Sequence, residues 1–203
     1  MIDYLTEEEA VAYIGQNAMR DRSEVTDHVT AVSRFIDDYC GRHFYQDGTI
    51  AVPVARTFVP SHETELRLGV FNDLVSVSAV AVDTAGNRSF STALTGYALE
   101  PFNPKPGYPY TTLRLYGSTL TLPASNTRPD IVRVTGVWGW PAVPAPVKSA
   151  AKILMAELNK MADAPLGVTG ATDFGLAYIG AGPLKTAKRF LARYVHPDNF
   201  GIA

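Results

Sequence analysis

The sequence predicts an α+β fold: an N-terminal αα-hairpin and C-terminal helices packed together, with an inserted antiparallel β region. Three observations predict it. Apolar residues recur at helical spacing over the first forty or so positions, between capping signals. From Ile50 to Trp138 the texture turns to Val, Thr, Phe and Tyr in short runs, with Gly, Pro and Asn between them. Helical spacing then returns after Pro144. The organisation this implies is a helical hairpin over 1–48 and a β insertion over 49–140. A core helix over 141–163 completes the helical body, and 164–203 supplies a glycine-rich connection, a basic helix and a tail.

The first helix opens on Leu5-Thr6-Glu7-Glu8-Glu9. Thr6 at the N-cap with Glu9 three residues on is the capping-box pattern, and three glutamates in the first turn suit the positive end of the helix dipole. Gly15, or the Gly-Gln-Asn stretch it begins, ends this helix. A longer helix spans about Ser23–Cys40, capped by Asp21 or Ser23. Val25, Val29, Val32, Phe35, Ile36 and Tyr39 form its apolar stripe, Asp27, Arg34, Asp37 and Asp38 lie mostly off it, and Gly41 follows as the C′ residue.

The candidate strands are Val54–Val59, Glu65–Leu68, Val75–Asp83, Arg88–Ser91, Tyr97–Glu100, Thr112–Tyr116 and Ile131–Trp138. Asp83–Arg88 reads as a hairpin turn in which Gly86 and Asn87 take positive φ. Phe102–Tyr110, with Pro104, Pro106 and Pro109, reads as a stiff loop. Helix follows over about Pro144–Ala162, with Val147, Ala151, Leu154, Leu158 and Met161 in register. The segment 164–183 reads as irregular. A last helix, about Leu184–Tyr194, carries Leu184, Ala187, Phe190, Leu191 and Tyr194, and is basic through Lys185, Lys188, Arg189 and Arg193.

Both tryptophans of the chain lie in one stretch, Val134–Ala151, together with Pro141, Pro144 and Pro146. Proline restricts itself and the residue before it, so the chain is held extended after the strand and then launches a helix. Trp138 and Trp140 are expected to alternate across the strand end, one packing inward and the other facing a neighbour, with Gly139 leaving room between them. The expected structure is a strand-to-helix elbow with an aromatic plug, Trp140 being the candidate anchor for another subunit.

Signals for chemistry are weak. His28, His43, His62 and His196 show no metal-ligand spacing and read as surface or turn residues. Cys40, the only cysteine, has His43 nearby but across a helix end, and reads as a small buried hydrophobe. Gly182-Pro183-Leu184-Lys185-Thr186 resembles the end of a phosphate loop, but Pro183 removes an N–H and Lys185 is out of register. Glu7-Glu8-Glu9 and Asp37-Asp38 read as solvated charges, since adjacent helical residues do not face each other. No catalytic, cofactor or metal residue is assigned, and an enzyme is not expected.

The formal net charge of −2 argues against a chain that wraps nucleic acid, which needs a clear Lys/Arg excess. A lone cysteine allows no internal disulfide and suits a reduced compartment. The acidic N-terminus lacks signal-peptide character, and no apolar run reaches bilayer-spanning length. A soluble, cytosolic product with no membrane partner is expected.

The short Thr-Glu-Glu-Glu-Ala helix, a longer helix ending in Tyr39-Cys40-Gly41-Arg42-His43-Phe44, and a β region closing in the Trp-Gly-Trp-Pro-x-x-Pro junction and its helix resemble the head–tail connector (head completion, or adaptor) proteins of long-tailed bacteriophages. The likeness runs from Tyr4 to about Met161, with a larger β insertion and a longer tail than the smallest members. It implies a structural virion protein forming a homo-oligomeric ring, commonly twelve-fold, beneath the portal protein. The ring would extend the DNA channel, meet a downstream neck or tail protein, and let DNA pass without sequence-specific binding. It would sit at the head–tail junction, after assembly in the host cytoplasm. Residues expected to meet partners are Trp138, Trp140, Lys185, Lys188, Arg189, Arg193, Tyr194 and Phe200, with the tail His196–Ala203 ordering on docking. The alternative is a small-molecule or carbohydrate-binding β module using Trp138, Trp140, Tyr108 and Tyr110 as a platform.

Overall fold

The computed structural model describes residues 2–15, 22–117, 119–120, 130–163, 168–172, 175–178 and 182–199. The chain is α+β with antiparallel strands, and it divides into two compact units, Arg42–Ala142 and Met1–Gly41 with Val143–Ala203.

The Arg42–Ala142 unit holds β1 (Gln46–Asp47), β2 (Val54–Phe58), β3 (Glu65–Arg67), β4 (Leu74–Val82), β5 (Thr92–Ala93), β6 (Tyr97–Glu100), β7 (Thr112–Leu115) and β8 (Val132–Gly139). Strand β8 organises it. It pairs with β4 along one edge, and with β1 and then β2 along the other, while β5 extends the sheet beyond β4. A second sheet runs β3-β7-β6. Alternation sends Leu113 and Leu115 of β7 inward, where they share one core with Phe58, Leu66, Val80, Val132, Val134 and Trp138. Each such side chain contributes about 1.5–3 kcal/mol by leaving water.

Two glycines let β8 sit where it does. A Cβ at Gly136 would lie 2.2 Å from the Ser76 carbonyl oxygen, and one at Gly139 would lie 1.8 Å from that of Tyr45. Gly139 also takes φ +87°, which L side chains rarely adopt. The unit begins at Arg42 rather than at 49 because Gln46 and Asp47 pair with Gly139 and Trp138.

The expected strand Arg88–Ser91 does not form. Arg88 and Phe90 have φ of +64° and +42°, incompatible with a ladder, and Thr92–Ala93 pairs instead. Asp83 causes the change. Its carboxylate accepts from the backbone N–H groups of Gly86 (2.8 Å), Asn87 (3.2 Å) and Arg88 (2.6 Å), winding the chain around itself. Positive φ thus falls on Gly86 and Arg88, not on Asn87. Burial alone would raise the Asp83 carboxyl, but these donors reverse it and hold the group below its ordinary value.

The other unit holds α1 (Glu7–Ile14), α2 (Arg22–Cys40), α3 (Ala145–Asp163) and α4 (Gly182–Leu191), the last running into a 3-10 turn, Ala192–Tyr194. The capping box forms as the pattern predicts: Thr6 Oγ1 accepts from Glu9 N–H, and Glu9 Oε2 accepts from Thr6 N–H, both at 3.1 Å. Glu9 also accepts from Lys148 of α3 at 3.0 Å, tying the two helix starts together. Helix α1 packs on α2 and α3, and α3 packs on α2 and α4. Val25, Val29, Val32 and Ile36 of α2 are buried, as are Val147, Ala151 and Met155 of α3 and Ala187 and Leu191 of α4. The turn joining α1 to α2, and the proposed caps Asp21 and Ser23, lie outside the described side chains.

Asp37 is buried rather than solvated: it accepts from the Tyr4 hydroxyl and pairs with Arg34 Nε at 3.0 Å. The glycine-rich segment is not wholly irregular, since β9 (Val168–Thr172) and β10 (Gly175–Tyr178) pair antiparallel. The start of the tail is already ordered by the α2 C-terminus. His196 N–H donates to the Cys40 carbonyl at 2.7 Å, and Asn199 Nδ2 donates to that of Tyr39 at 3.0 Å, satisfying carbonyls the helix leaves open. His196 is therefore buried, not a surface residue. Residues 200–203, Phe200 among them, lie outside the described residues.

Two tests follow from the backbone. Gly69 has φ +73° and open space around it, so Gly69→Ala should cost about 1–2 kcal/mol of unfolding free energy in urea titrations. Gly139→Ala adds the Tyr45 overlap and should cost more than about 3 kcal/mol. Equal losses would contradict the close approach. Because its folded pKa is lowered, Asp83 adds stability at neutral pH that is lost as pH falls through that lowered value. Asp83→Asn should lower Tm at pH 7 and shrink the loss of stability below about pH 4; an unchanged pH profile would contradict the turn's role.

Candidate functional site

The tryptophan junction is an interior structure. Trp138 and Trp140 are two apart in sequence, and regular pleating would set them on one face of the strand. The positive φ of Gly139 interrupts the pleat, and each ring enters its own cluster. Trp138 packs on Phe58 (ring centroids 5.6 Å apart), carries the Arg56 guanidinium 4.8 Å above its ring, and donates its indole N–H to the Val54 carbonyl at 2.8 Å. Trp140 packs on Phe44 and Tyr108, at 5.2 and 4.9 Å, and donates to Asp73 at 2.9 Å. Asp73 binds Arg42 with its other oxygen, and its backbone carbonyl accepts from Gly139 N–H at 2.8 Å. Burial pushes the Asp73 carboxyl above its ordinary value, against the pull of Arg42 and the Trp140 indole.

Both tryptophans are less than 3% exposed. This corrects the expectation that Trp140 anchors another subunit, and it removes both rings from the proposed four-aromatic platform. What remains open is a cleft of about 440 Å³ between Tyr108, Tyr110, Val75, Pro141 and the loop Asn103–Pro109. Tyr194 is corrected too: it is buried in the 3-10 turn that follows α4 and is not a surface residue.

The basic helix divides. Lys185, Arg189 and Arg193 are exposed, whereas Lys188 is half-buried with its ammonium 5.1 Å from the centre of the Tyr39 ring. Because Ala187, Leu191 and Tyr194 are buried, α4 is part of the helical core rather than an appended arm.

One apolar surface was not foreseen. Among the described residues, Ala31, Val32 and Phe35 of α2, Leu154 and Leu158 of α3, and Leu184 of α4 line a groove of about 330 Å³, with the carboxylate of Glu157 at its side. Phe35 and Leu184 belong to the stripes that helical spacing assigned to the core, yet remain 39% and 41% exposed, as does Phe190 at 39%. The signal in the sequence is an apolar arc on α2 and α4 wider than their neighbours can cover. Among the described residues no group of three or more His, Cys, Asp or Glu side chains could hold a metal ion. Cys40 is buried, and His43 stacks on Tyr45 and lies tilted against Phe71.

Compared with protein-family models and with curated proteins, the chain matches none.

The buried pair yields a mutational test. Asp73→Leu alone strands Arg42 and the Trp140 N–H, and should cost about 3–5 kcal/mol. Asp73→Leu with Arg42→Met removes both charges and should recover at least ~1 kcal/mol of that loss. A double mutant less stable than the single would contradict the pairing.

Proposed function

We propose that this chain is a structural protein of a tailed-phage virion, a head-to-tail connector or adaptor that assembles into a ring under the portal, extends the DNA channel and joins capsid to tail. The observation that carries the reading is the helical unit's surface. An apolar groove between α2, α3 and α4 lies open, and Lys185 and Arg189 of α4, with Arg193 just after it, add exposed cations to the same unit. Monomers keep such patches small and scattered, and an open apolar groove marks a surface built to be covered.

The sequence resemblance supports the same reading through residues that here have structural tasks. Arg42, Gly139 and Trp140 build the junction around Asp73, and Gly41 (φ +62°) ends α2. In this reading α1 and α2 form the hairpin, α3 and α4 complete the ring body, and the role is assembly rather than catalysis. The partners are further copies of the chain, the portal protein and a downstream neck or tail protein, with DNA sliding through the channel. The site of action is the head–tail junction, reached from the host cytoplasm.

The test is reconstitution. Purified chain added to tailless, portal-bearing heads should co-sediment with them in multiple copies per portal vertex. Chain that stays in the supernatant, with the heads intact and the portal accessible, contradicts the connector role. The Tyr108–Tyr110 cleft would then deserve screening against small ligands.

A further inference from the structure

The groove's occupant can be argued from charge. Residues 1–15, which hold α1, carry four acidic and no basic side chains, whereas 182–194 carry four basic and no acidic ones. The helical unit is thus acidic along α1 and basic along α4. Helix α1 presents an outward arc of Glu8, Ala12 and Tyr13, and Tyr13, a large aromatic, is 50% exposed. No residue of α1 lines the groove, so donor and acceptor surfaces are separate on one chain.

We propose that the groove between α2, α3 and α4 receives helix α1 of a second copy of this chain, with Tyr13 seated against Phe35, Leu158 and Leu184 and the acidic first turn of α1 facing Lys185 and Arg189. This is helix-in-groove recognition, with an aromatic anchor at the centre and charges at the rim. Apolar burial supplies the affinity, and the opposed charges set which helix enters and in which direction. The contact is heterologous: every copy gives one α1 and receives one. Such contacts repeat head to tail and close into a ring when the rotation permits. The inference rests on the ring reading above and names the surfaces that make the ring.

The experiment uses full-length chains with two different tags, one carrying Tyr13→Cys and the other Leu184→Cys. Both positions are exposed, and the native Cys40 is buried and stays out of the exchange. The two are mixed under mild oxidation, free and on portal-bearing heads, alongside native mass spectrometry of the unmodified chain. A disulfide joining the two tags supports the proposal. So does an association weakened by about tenfold or more in Leu184→Asp, with an unchanged thermal melt. Lys185→Glu with Arg189→Glu should weaken association most at low salt. Oligomers that form without the mixed disulfide, and are indifferent to Leu184→Asp, overturn the α1-in-groove contact while leaving the ring reading intact. A chain that stays monomeric both free and on heads overturns the two together.

Discussion

The close approach of β8 to the chain at Tyr45 is the constraint on which the β unit depends. It is possible only because residue 139 has no side chain and can take φ +87°. From that point the N–H of Gly139 reaches the Asp73 carbonyl, the N–H of Trp140 reaches the Tyr45 carbonyl at 3.2 Å, and the two indoles part into separate clusters. Asp73 then holds both Arg42, the first residue of the unit, and Trp140, close to its last. One buried carboxylate thereby ties together two stretches almost a hundred residues apart. Breaking it costs far more than the pair itself contributes, because the guanidinium and indole would be left buried without acceptors.

The helical unit works by a different economy. Its interior is closed by small and branched residues on α2, α3 and α4, and its end is sealed by the tail, where His196 and Asn199 cap α2. What it does not close is the groove at Phe35, Leu158 and Leu184. Uncovered apolar area is unfavourable in water, and a partner that covers it recovers about 25 cal/mol for each Å² removed. Three carboxyls shifted by their surroundings sit at structural joints: Glu9 and Asp83, lowered at a helix start and in a turn, and Asp73, raised at the junction.

Much of this was legible in the sequence where local rules govern. The Thr6–Glu9 capping box, the Gly41 helix stop and strand Tyr97–Glu100 follow from neighbours within a few residues. Expectations failed where one particular side-chain partner decides, which apolar spacing does not encode. The acceptor role of Asp83 turned an expected strand into a loop, and Tyr4 and Arg34 drew Asp37 inside. The tryptophans illustrate both cases. Their burial as an aromatic plug was readable from composition, but the outward face assigned to Trp140 failed because Asp73, sixty-seven residues away, holds its indole. Helical spacing marked Phe35 and Leu184 as apolar-stripe residues, yet it carries no information on how much of a stripe the neighbours cover. The candidate surface came into view only with three helices in place.

The most direct test is native mass spectrometry of the purified chain over a range of concentrations, with negative-stain imaging of the same samples. Closed rings of one copy number, with a central opening, are the expected result. A single monomeric species at every concentration, unchanged when portal-bearing heads are added, would contradict the assembly role.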